Sequence, residues 1–161
     1  MTMNKQSGFS LIEVLVAMIV LAFGLLGLAG MQATGLKNNQ SAYNRSQATQ
    51  LAYDIADRMR ANASEARNLA ASTYITLAPG SAAAQSSCES VSTACTPALM
   101  AQNDLSEWNA DLAALLPGGT GSLAVDVATG IFTATVNWTE NRDEDNDAVS
   151  DVSTFTTRFQ L

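Results

Sequence analysis

The chain has 161 residues, of which 47% are hydrophobic and only 14% are charged, and its formal net charge is −7 with no histidine. This length allows one domain of ordinary size with an appendage. The acidic balance, and the lack of a basic stripe interleaved with aromatic residues, exclude a nucleic-acid groove binder.

The first predicted element is a long apolar helix near the N-terminus. Every residue from Val14 to Met31 is apolar or glycine, and the next charged residue is Lys37. As a helix this run would rise about 27 Å, close to the roughly 30 Å hydrocarbon core of a bilayer. It is longer than the apolar core of a cleaved secretory signal, and no lipoprotein-type cysteine follows it. We therefore predict a membrane-spanning segment.

A short motif precedes the apolar run. It reads Gly8-Phe9-Ser10-Leu11-Ile12-Glu13 and follows a polar leader that contains Lys5. Together with the long apolar helix, this motif resembles the start of the type IV prepilin family. The resemblance implies that prepilin peptidase cuts between Gly8 and Phe9 on the cytoplasmic side. It also implies that the new amino group of Phe9 is then methylated.

Glu13 is an unusual residue at the edge of such a span, because an ionisable group at the bilayer centre costs roughly 2.5–3.5 kcal/mol. Cleavage would create an ammonium at Phe9, four residues earlier and within one helical turn. That ammonium would pair with Glu13 of the same chain or of a neighbouring subunit. Such a pair does not clearly stabilise a bundle more than an apolar contact would. We therefore expect Glu13 to set the axial register of assembly and not to add stability. The alternative is a carboxylate at the lipid headgroup edge.

The charges that flank the span give a mixed topology signal. Lys5 precedes it, whereas Lys37 and Arg45 follow it, which mildly favours a cytoplasmic polar part. The prepilin-like leader and the two cysteines, Cys88 and Cys95, favour the opposite orientation. We predict that the polar part lies outside the cytoplasm.

The helix is predicted to continue beyond the apolar run. No proline occurs before Pro79, so nothing breaks the helix sharply. Apolar residues recur at multiples of four on one predicted face: Tyr43, Leu51, Ile55 and Met59, with Ala48 and Ala52. We predict one helix from Phe9 to about residue 62–68. Four glycines near the junction leave two interpretations open, a bend or close helix packing: Gly24, Gly27, Gly30 and Gly35.

Residues 70–96 are rich in alanine, serine and threonine around Pro79-Gly80 and are predicted to be a loop. Cys88 and Cys95 are the only cysteines. Without histidine they cannot supply the four ligands of a structural zinc site. Their spacing is not C-x-x-C, so we predict a structural disulfide formed in an oxidising compartment.

A second helix is predicted to start at Thr96-Pro97, with threonine as N-cap and proline at the first helical position. One apolar stripe follows and ends before Pro117-Gly118-Gly119; it comprises Leu105, Trp108, Leu112 and Leu115. We interpret Trp108 as a core anchor, with a partner contact as the alternative.

The remaining residues alternate between apolar and polar, which predicts three antiparallel strands. The apolar positions are Leu123, Val125 and Val127; then Phe132, Ala134, Val136 and Trp138; then Phe155, Thr157, Phe159 and Leu161. Thr129-Gly130 predicts a tight turn between the first two strands. An acidic segment, RDEDNDAVSD at 142–151, precedes the last.

The acidic segment only partly matches a calcium loop. Asp143-x-Asp145-x-Asp147 fits its opening, but Ala148 and Thr154 stand where an EF-hand needs glycine and glutamate. We predict a solvated loop and no metal site, with weak calcium binding as the alternative. No histidine-based triad, G-x-S-x-G serine or phosphate-binding glycine loop occurs, so we predict neither catalytic residues nor a cofactor.

These elements predict an α+β fold of the type IV pilin kind. A long transmembrane and amphipathic helix would pack on a small antiparallel sheet of about three strands, with a second short helix. The predicted segments are a leader at 1–8, a membrane span at 9–36, an amphipathic continuation at 37–68 and a periplasmic head at 69–161.

The resemblance extends beyond the leader and is closest to the minor pilins of this family. It is carried by residues 8–32 and 46–62, by Cys95-Thr96-Pro97 with Asp104-Leu105 and Trp108, and by LLPGG at 115–119. It implies a subunit that supports pilus assembly, adhesion and twitching motility. The implied partners are other minor pilins, the major pilin, prepilin peptidase and the inner-membrane assembly platform, and the implied location is the inner membrane and then the extracellular pilus. Two alternatives are a minor pseudopilin of type II secretion and a membrane-anchored head that binds calcium or a surface.

Overall fold

The computed structural model describes residues 8–90, 95–140 and 151–161. Most of the predicted leader and most of the acidic segment, including its Asp143-x-Asp145-x-Asp147 motif, lie outside these residues. The chain divides into two units, residues 1–40 and 41–161. We describe each unit by itself.

Helix α1 runs over Leu11–Ala61, 51 residues, and supplies residues to both units. It begins two residues after the predicted start, because the Ser10 carbonyl accepts the first helical bonds, from the amides of Glu13 (3.0 Å) and Val14 (3.3 Å). At its other end a short helix, α2, follows over Ala63–Ala66. The predicted long N-terminal helix is confirmed.

The buried face of α1 in the second unit is the predicted one with one exception. Its buried residues are Asn44, Ala48, Leu51, Ala52, Ile55, Ala56 and Met59. The prediction for Tyr43 is wrong, since its side chain is 54% exposed. A helix turns 100° per residue, so the eight residues between Tyr43 and Leu51 place them about 80° apart. Asn44 is seven residues from Leu51, nearly two full turns, and therefore lies over the core.

The sheet contains three antiparallel strands in the order β1-β2-β3, as predicted. The strands are β1 (Thr120–Asp126), β2 (Ile131–Glu140) and β3 (Asp151–Phe159). Val127 was predicted to extend β1, but it lies in the β1–β2 turn and is 58% exposed. The turn is closed by Gly130, whose φ is +67° and whose amide donates to the Asp126 carbonyl (2.8 Å). The alternation of exposed and partly buried residues therefore ends at Asp126, and Val127 does not continue it.

Two more helices complete the second unit: α3 (Thr73–Thr76) and α4 (Pro97–Leu115). The predicted N-cap is confirmed, since the Thr96 hydroxyl accepts from the Leu99 amide at 3.3 Å. Leu105, Trp108 and Leu112 are fully buried, but the prediction for Leu115 is wrong because it is 45% exposed. The next residue, Leu116, takes the buried position, because the chain leaves the helix there.

Trp108 anchors the core of the second unit. It is fully buried, and its indole Nε1 donates to the Leu51 carbonyl of α1 at 2.9 Å. Gly121 of β1 lies against its ring: a Cβ at that position would be 2.4 Å from Trp108 Cη2. The absence of a side chain at 121 therefore allows α4 and β1 to approach closely.

The predicted loop between α2 and α4 contains α3 and three single turns of 3₁₀ helix, at Leu69–Ala71, Pro79–Ser81 and Ser86–Cys88. Leu69 adopts a left-handed backbone conformation with φ +52°, which is uncommon for a residue with a branched side chain. These turns wrap the open side of the core.

Candidate assembly segment

The first unit exposes an unusually large apolar surface. Between Phe9 and Met31 the exposure of its large apolar side chains ranges from 46% to 85%. Monomeric soluble proteins rarely expose apolar patches of this extent, and larger ones mark membrane or protein contacts. Among the described residues, α1 is the one helix that is long and apolar enough to cross a membrane, with a mean hydropathy of 2.7 over its most apolar 18 residues. The candidate site is therefore the surface of this segment.

Glu13 lies in the first turn of α1. With Ser10 at the N-cap, Glu13 occupies the third helical position, and Ser10-x-x-Glu13 has the sequence of a capping box. A carboxylate in the first turn also interacts favourably with the positive end of the helix dipole. The prepilin-like motif thus contains a helix-start signal that the periodicity analysis missed.

Gly8 and Phe9 both precede the helix and are exposed. A Cβ at Gly8 would meet no atom within 4 Å, and Phe9 is 85% exposed. Phe9 lies one residue before the N-cap, so the same-face helical spacing between Phe9 and Glu13 does not apply to the described conformation. Cleavage, methylation of Phe9 and the register role of Glu13 stay predictions.

The predicted disulfide joins Cys88 to Cys95, whose Cα atoms are 4.9 Å apart. It connects the 3₁₀ turn at Ser86–Cys88 to the residue that precedes Thr96, the N-cap of α4. The bridge therefore holds the start of α4 close to the preceding turn.

A buried polar cluster that the sequence did not reveal connects α1, α3 and α4. The Tyr74 hydroxyl donates to Asp104 Oδ2 and accepts from Asn62 Nδ2 at 3.3 Å. Asn62 Nδ2 also donates to the Pro97 carbonyl at 2.7 Å. Arg58 reaches Asp104 at 3.6 Å and pairs with Asp54 at 2.8 Å.

Burial sets the protonation behaviour of this cluster. It raises the pKa of Asp104, while the hydrogen bond from Tyr74 and the charge of Arg58 partly oppose the rise. Burial and the bond to Asp104 raise the pKa of Tyr74 well above its usual range. No single local pattern identifies such a cluster, because Asp104 lies 30 positions from Tyr74 and 46 positions from Arg58 along the chain. Its role is to hold three helix ends together.

A second buried carboxylate accepts a hydrogen bond from Ser41, the first residue of the second unit. Glu140, 7% exposed, accepts from the Ser41 hydroxyl at 3.0 Å and from Trp138 Nε1 at 3.0 Å. This contact joins α1 to the end of β2. The described residues contain no group of three or more histidine, cysteine, aspartate or glutamate side chains arranged to hold a metal ion.

Two family models match adjacent parts of the chain. The prokaryotic N-terminal methylation motif matches residues 3–29, and the type IV pilin Tt1218 family matches residues 30–106. Over residues 3–106 the chain is therefore similar to type IV pilins. Searches of the curated proteins and of the solved structures returned no match.

The described fold agrees with this assignment. A type IV pilin has a long apolar N-terminal helix and a small antiparallel sheet, and both are present. Proteins of this family are structural subunits that assemble with other pilins and are processed by prepilin peptidase. The strands lie beyond residue 106, outside both matches, so the sheet rests on the structure alone.

Proposed function

We propose that this pilin is a minor subunit of a type IV pilus, similar to the pilus modification protein PilV, that helps to prime assembly and enters the fibre. The observation that carries the proposal is the exposed apolar helix directly after the Gly8-Phe9 junction and Glu13. In the membrane this surface would face lipid, and in a fibre it would face the helices of neighbouring subunits. The same surface thus serves both states.

In the proposed pathway the pilin first resides in the inner membrane with residues 41–161 in the periplasm. Prepilin peptidase removes residues 1–8, and the amine of Phe9 is methylated. The subunit then joins other minor pilins and the major pilin at the assembly platform and passes into the extracellular fibre. Adhesion and twitching motility would follow from its presence there.

The first test is the mature N-terminus, determined by mass spectrometry of the protein purified from cells with an active prepilin peptidase. We expect a chain that begins at N-methylated Phe9. Recovery of residues 1–8 on the mature protein would refute the proposal and favour a membrane-anchored head that is not assembled. Replacement of Gly8 by a bulky residue should block cleavage, whereas Ser7→Ala should not.

We propose that Glu13 sets the axial register by pairing with the Phe9 amine of a neighbouring subunit. Phe9 lies ahead of the helix, so its amine is not committed to the helical face that carries Glu13. In an apolar bundle an ammonium and a carboxylate are each costly alone, and a one-turn slip would separate them.

The Glu13→Gln variant should insert and be cleaved like the wild type but enter fibres poorly, because the amide keeps the shape and loses the charge. The measurement is the ratio of fibre-bound to membrane-bound pilin on immunoblots. Glu89→Gln, at an exposed position of the second unit, is the matched control and should assemble normally. Normal incorporation of Glu13→Gln would contradict the register role.

A minor pseudopilin of type II secretion would carry the same motif and fold. The two functions differ in the machine that is served, so deletion of the gene distinguishes them. Loss of piliation with normal protein secretion supports the pilus role. Loss of protein secretion with normal piliation supports the pseudopilin role.

A further inference from the structure

A cleft of about 310 Å³ opens at the end of the sheet where β2 begins and β3 ends. It is lined by Arg67, Leu69, Thr129, Gly130, Phe132, Gln160 and Leu161. The lining thus combines apolar side chains with the polar side chains of Thr129 and Gln160 and with one guanidinium. Neither family match assigns a role to it.

A side-chain hydrogen bond holds part of the lining of the cleft in place. Gln160 Nε2 donates to the Thr129 carbonyl at 3.0 Å, which ties the end of β3 to the β1–β2 turn. On the opposite wall Leu69 keeps its left-handed conformation (φ +52°). A non-glycine residue holds such a backbone only where its surroundings determine it. The cleft is therefore a built feature of the fold.

Arg67 supplies a cation that the described residues do not neutralise. Its side chain is exposed and forms no ion pair with any described residue. Two other arginines lie at this end of the sheet. Arg60 stacks over the Phe159 ring and pairs with Asp57, and Arg158 lies close enough to Asp126 to help lower the pKa of that carboxyl. Arg67 is thus the cation available to an incoming group.

The opposite end of the same two strands bears the acidic segment. In the β2–β3 register, Phe132 pairs with Phe159 at the cleft end, and Glu140 pairs with Asp151 at the other. These ends are about 26 Å apart, from eight residues at 3.3 Å each. The segment that joins them, 142–151, has five carboxylates and one arginine. The cleft end of the sheet therefore carries Arg67 together with Asp126, whose carboxylate accepts from the Thr129 hydroxyl at 2.8 Å, and the other end carries the acidic segment.

We propose that the Arg67 cleft receives a carboxylate-rich segment of a neighbouring pilin subunit built on the same plan. Subunits stacked in one direction bring the acidic end of one sheet to the cleft end of the next. Such a heterologous contact does not close on itself and continues along a fibre. Charge complementarity between Arg67 and the carboxylates selects the partner. This inference rests on the proposed role as a fibre subunit.

The test uses the full-length protein in zwitterionic detergent micelles and a fluorescent, end-capped peptide with the sequence of residues 142–151. We expect saturable binding by fluorescence anisotropy that weakens as salt is added, because the pair is electrostatic. Arg67→Glu should weaken binding about tenfold, since it replaces attraction by repulsion. Arg45→Glu reverses an equally exposed arginine of α1 and is the matched control.

A charge exchange makes the test specific. A peptide in which Asp143, Glu144 and Asp145 are replaced by lysine should bind Arg67→Glu more tightly than it binds the wild type. No saturable binding, or equal losses in Arg67→Glu and Arg45→Glu, would overturn the proposal. Binding of the peptide does not require processing or fibre entry. If the chain keeps residues 1–8 in cells but the lysine peptide still binds Arg67→Glu more tightly than the wild type, the proposed function is refuted and the proposed binding site is not.

Discussion

At the scale of single residues, one tight constraint in the second unit is the approach of β1 to Trp108. A Cβ at Gly121 would lie 2.4 Å from Trp108 Cη2 and 2.6 Å from Leu112 Cδ1. Real Cβ atoms do not approach other atoms so closely, and both neighbours are fully buried. The core must therefore shift to accept any side chain at position 121.

Gly121→Ala should lower the free energy of unfolding by about 1–3 kcal/mol, the usual cost of overpacking a core. Urea unfolding followed by tryptophan fluorescence measures it, because both tryptophans are buried in this unit. Gly80→Ala is the control, since the nearest atom to its Cβ would be 3.8 Å away. Equal stability of the two variants would show that Trp108 and its neighbours can shift to accept a methyl group at position 121 without loss of stability.

Asp104 predicts a pH dependence whose sign follows from its burial. Because burial raises its pKa, the folded chain binds a proton at Asp104 more readily than the unfolded chain does. The site therefore stabilises the fold at acidic pH, and this contribution is lost as the pH rises from the ordinary carboxyl range through the raised pKa. Arg58 reduces the effect and Glu107 increases it.

Asp104→Asn should flatten the pH dependence of stability. Its side chain still accepts a hydrogen bond from Tyr74 but no longer titrates. We expect the free energy of unfolding of the wild type, relative to the variant, to fall as the pH rises above the ordinary carboxyl range. Urea titrations at several pH values supply the comparison. Parallel curves for the two proteins would mean that the pKa of Asp104 is the same in the folded and unfolded chains.

At the scale of elements, periodicity predicted the helices and strands, and its errors lie where an element turns or ends. Tyr43 was placed by counting in fours, which drifts about 40° per step in a helix. Leu115 and Val127 each continue a correct pattern one position too far. The buried polar positions were not predicted, because Asn44, Asp104 and Glu140 have no local pattern that distinguishes them from surface residues.

The bridge between Cys88 and Cys95 was likewise predicted only in part. Its pairing was predicted from the number of cysteines, but its position beside the N-cap of α4 is visible only in the structure. In the chain-entropy model, a loop of this length stabilises the fold by about 2–3 kcal/mol. That contribution is large for a small domain.

The double variant Cys88→Ser/Cys95→Ser should lower the free energy of unfolding by about 2–3 kcal/mol. Reductant should lower the stability of the wild type by the same amount and leave the serine variant unchanged. Denaturant titrations with and without dithiothreitol make both comparisons. A wild type that is indifferent to reductant would contradict a stabilising bridge.

At the scale of the whole molecule, the chain contains two units that suit different solvents. The described part of the first unit has no buried residue, and its backbone groups are satisfied within the helix itself. A helix of this kind is stable in an apolar phase without tertiary contacts. The second unit owes its stability to a core of buried side chains, and the hydrophobic effect that stabilises this core requires water as the solvent. The apolar run alone predicted a membrane-length helix, because no long-range contact is needed to define one.

Urea should therefore unfold the two units separately in detergent micelles. Residues 41–161 should lose their tertiary structure in one cooperative transition, seen as the exposure of Trp108 and Trp138, while residues 11–40 stay helical. The circular dichroism at 222 nm should then settle on a plateau that corresponds to about thirty helical residues. Gly121→Ala should move the tryptophan transition to lower urea and leave the plateau unchanged. Loss of all helical signal together with the tryptophan transition would show that the apolar helix depends on the folded second unit.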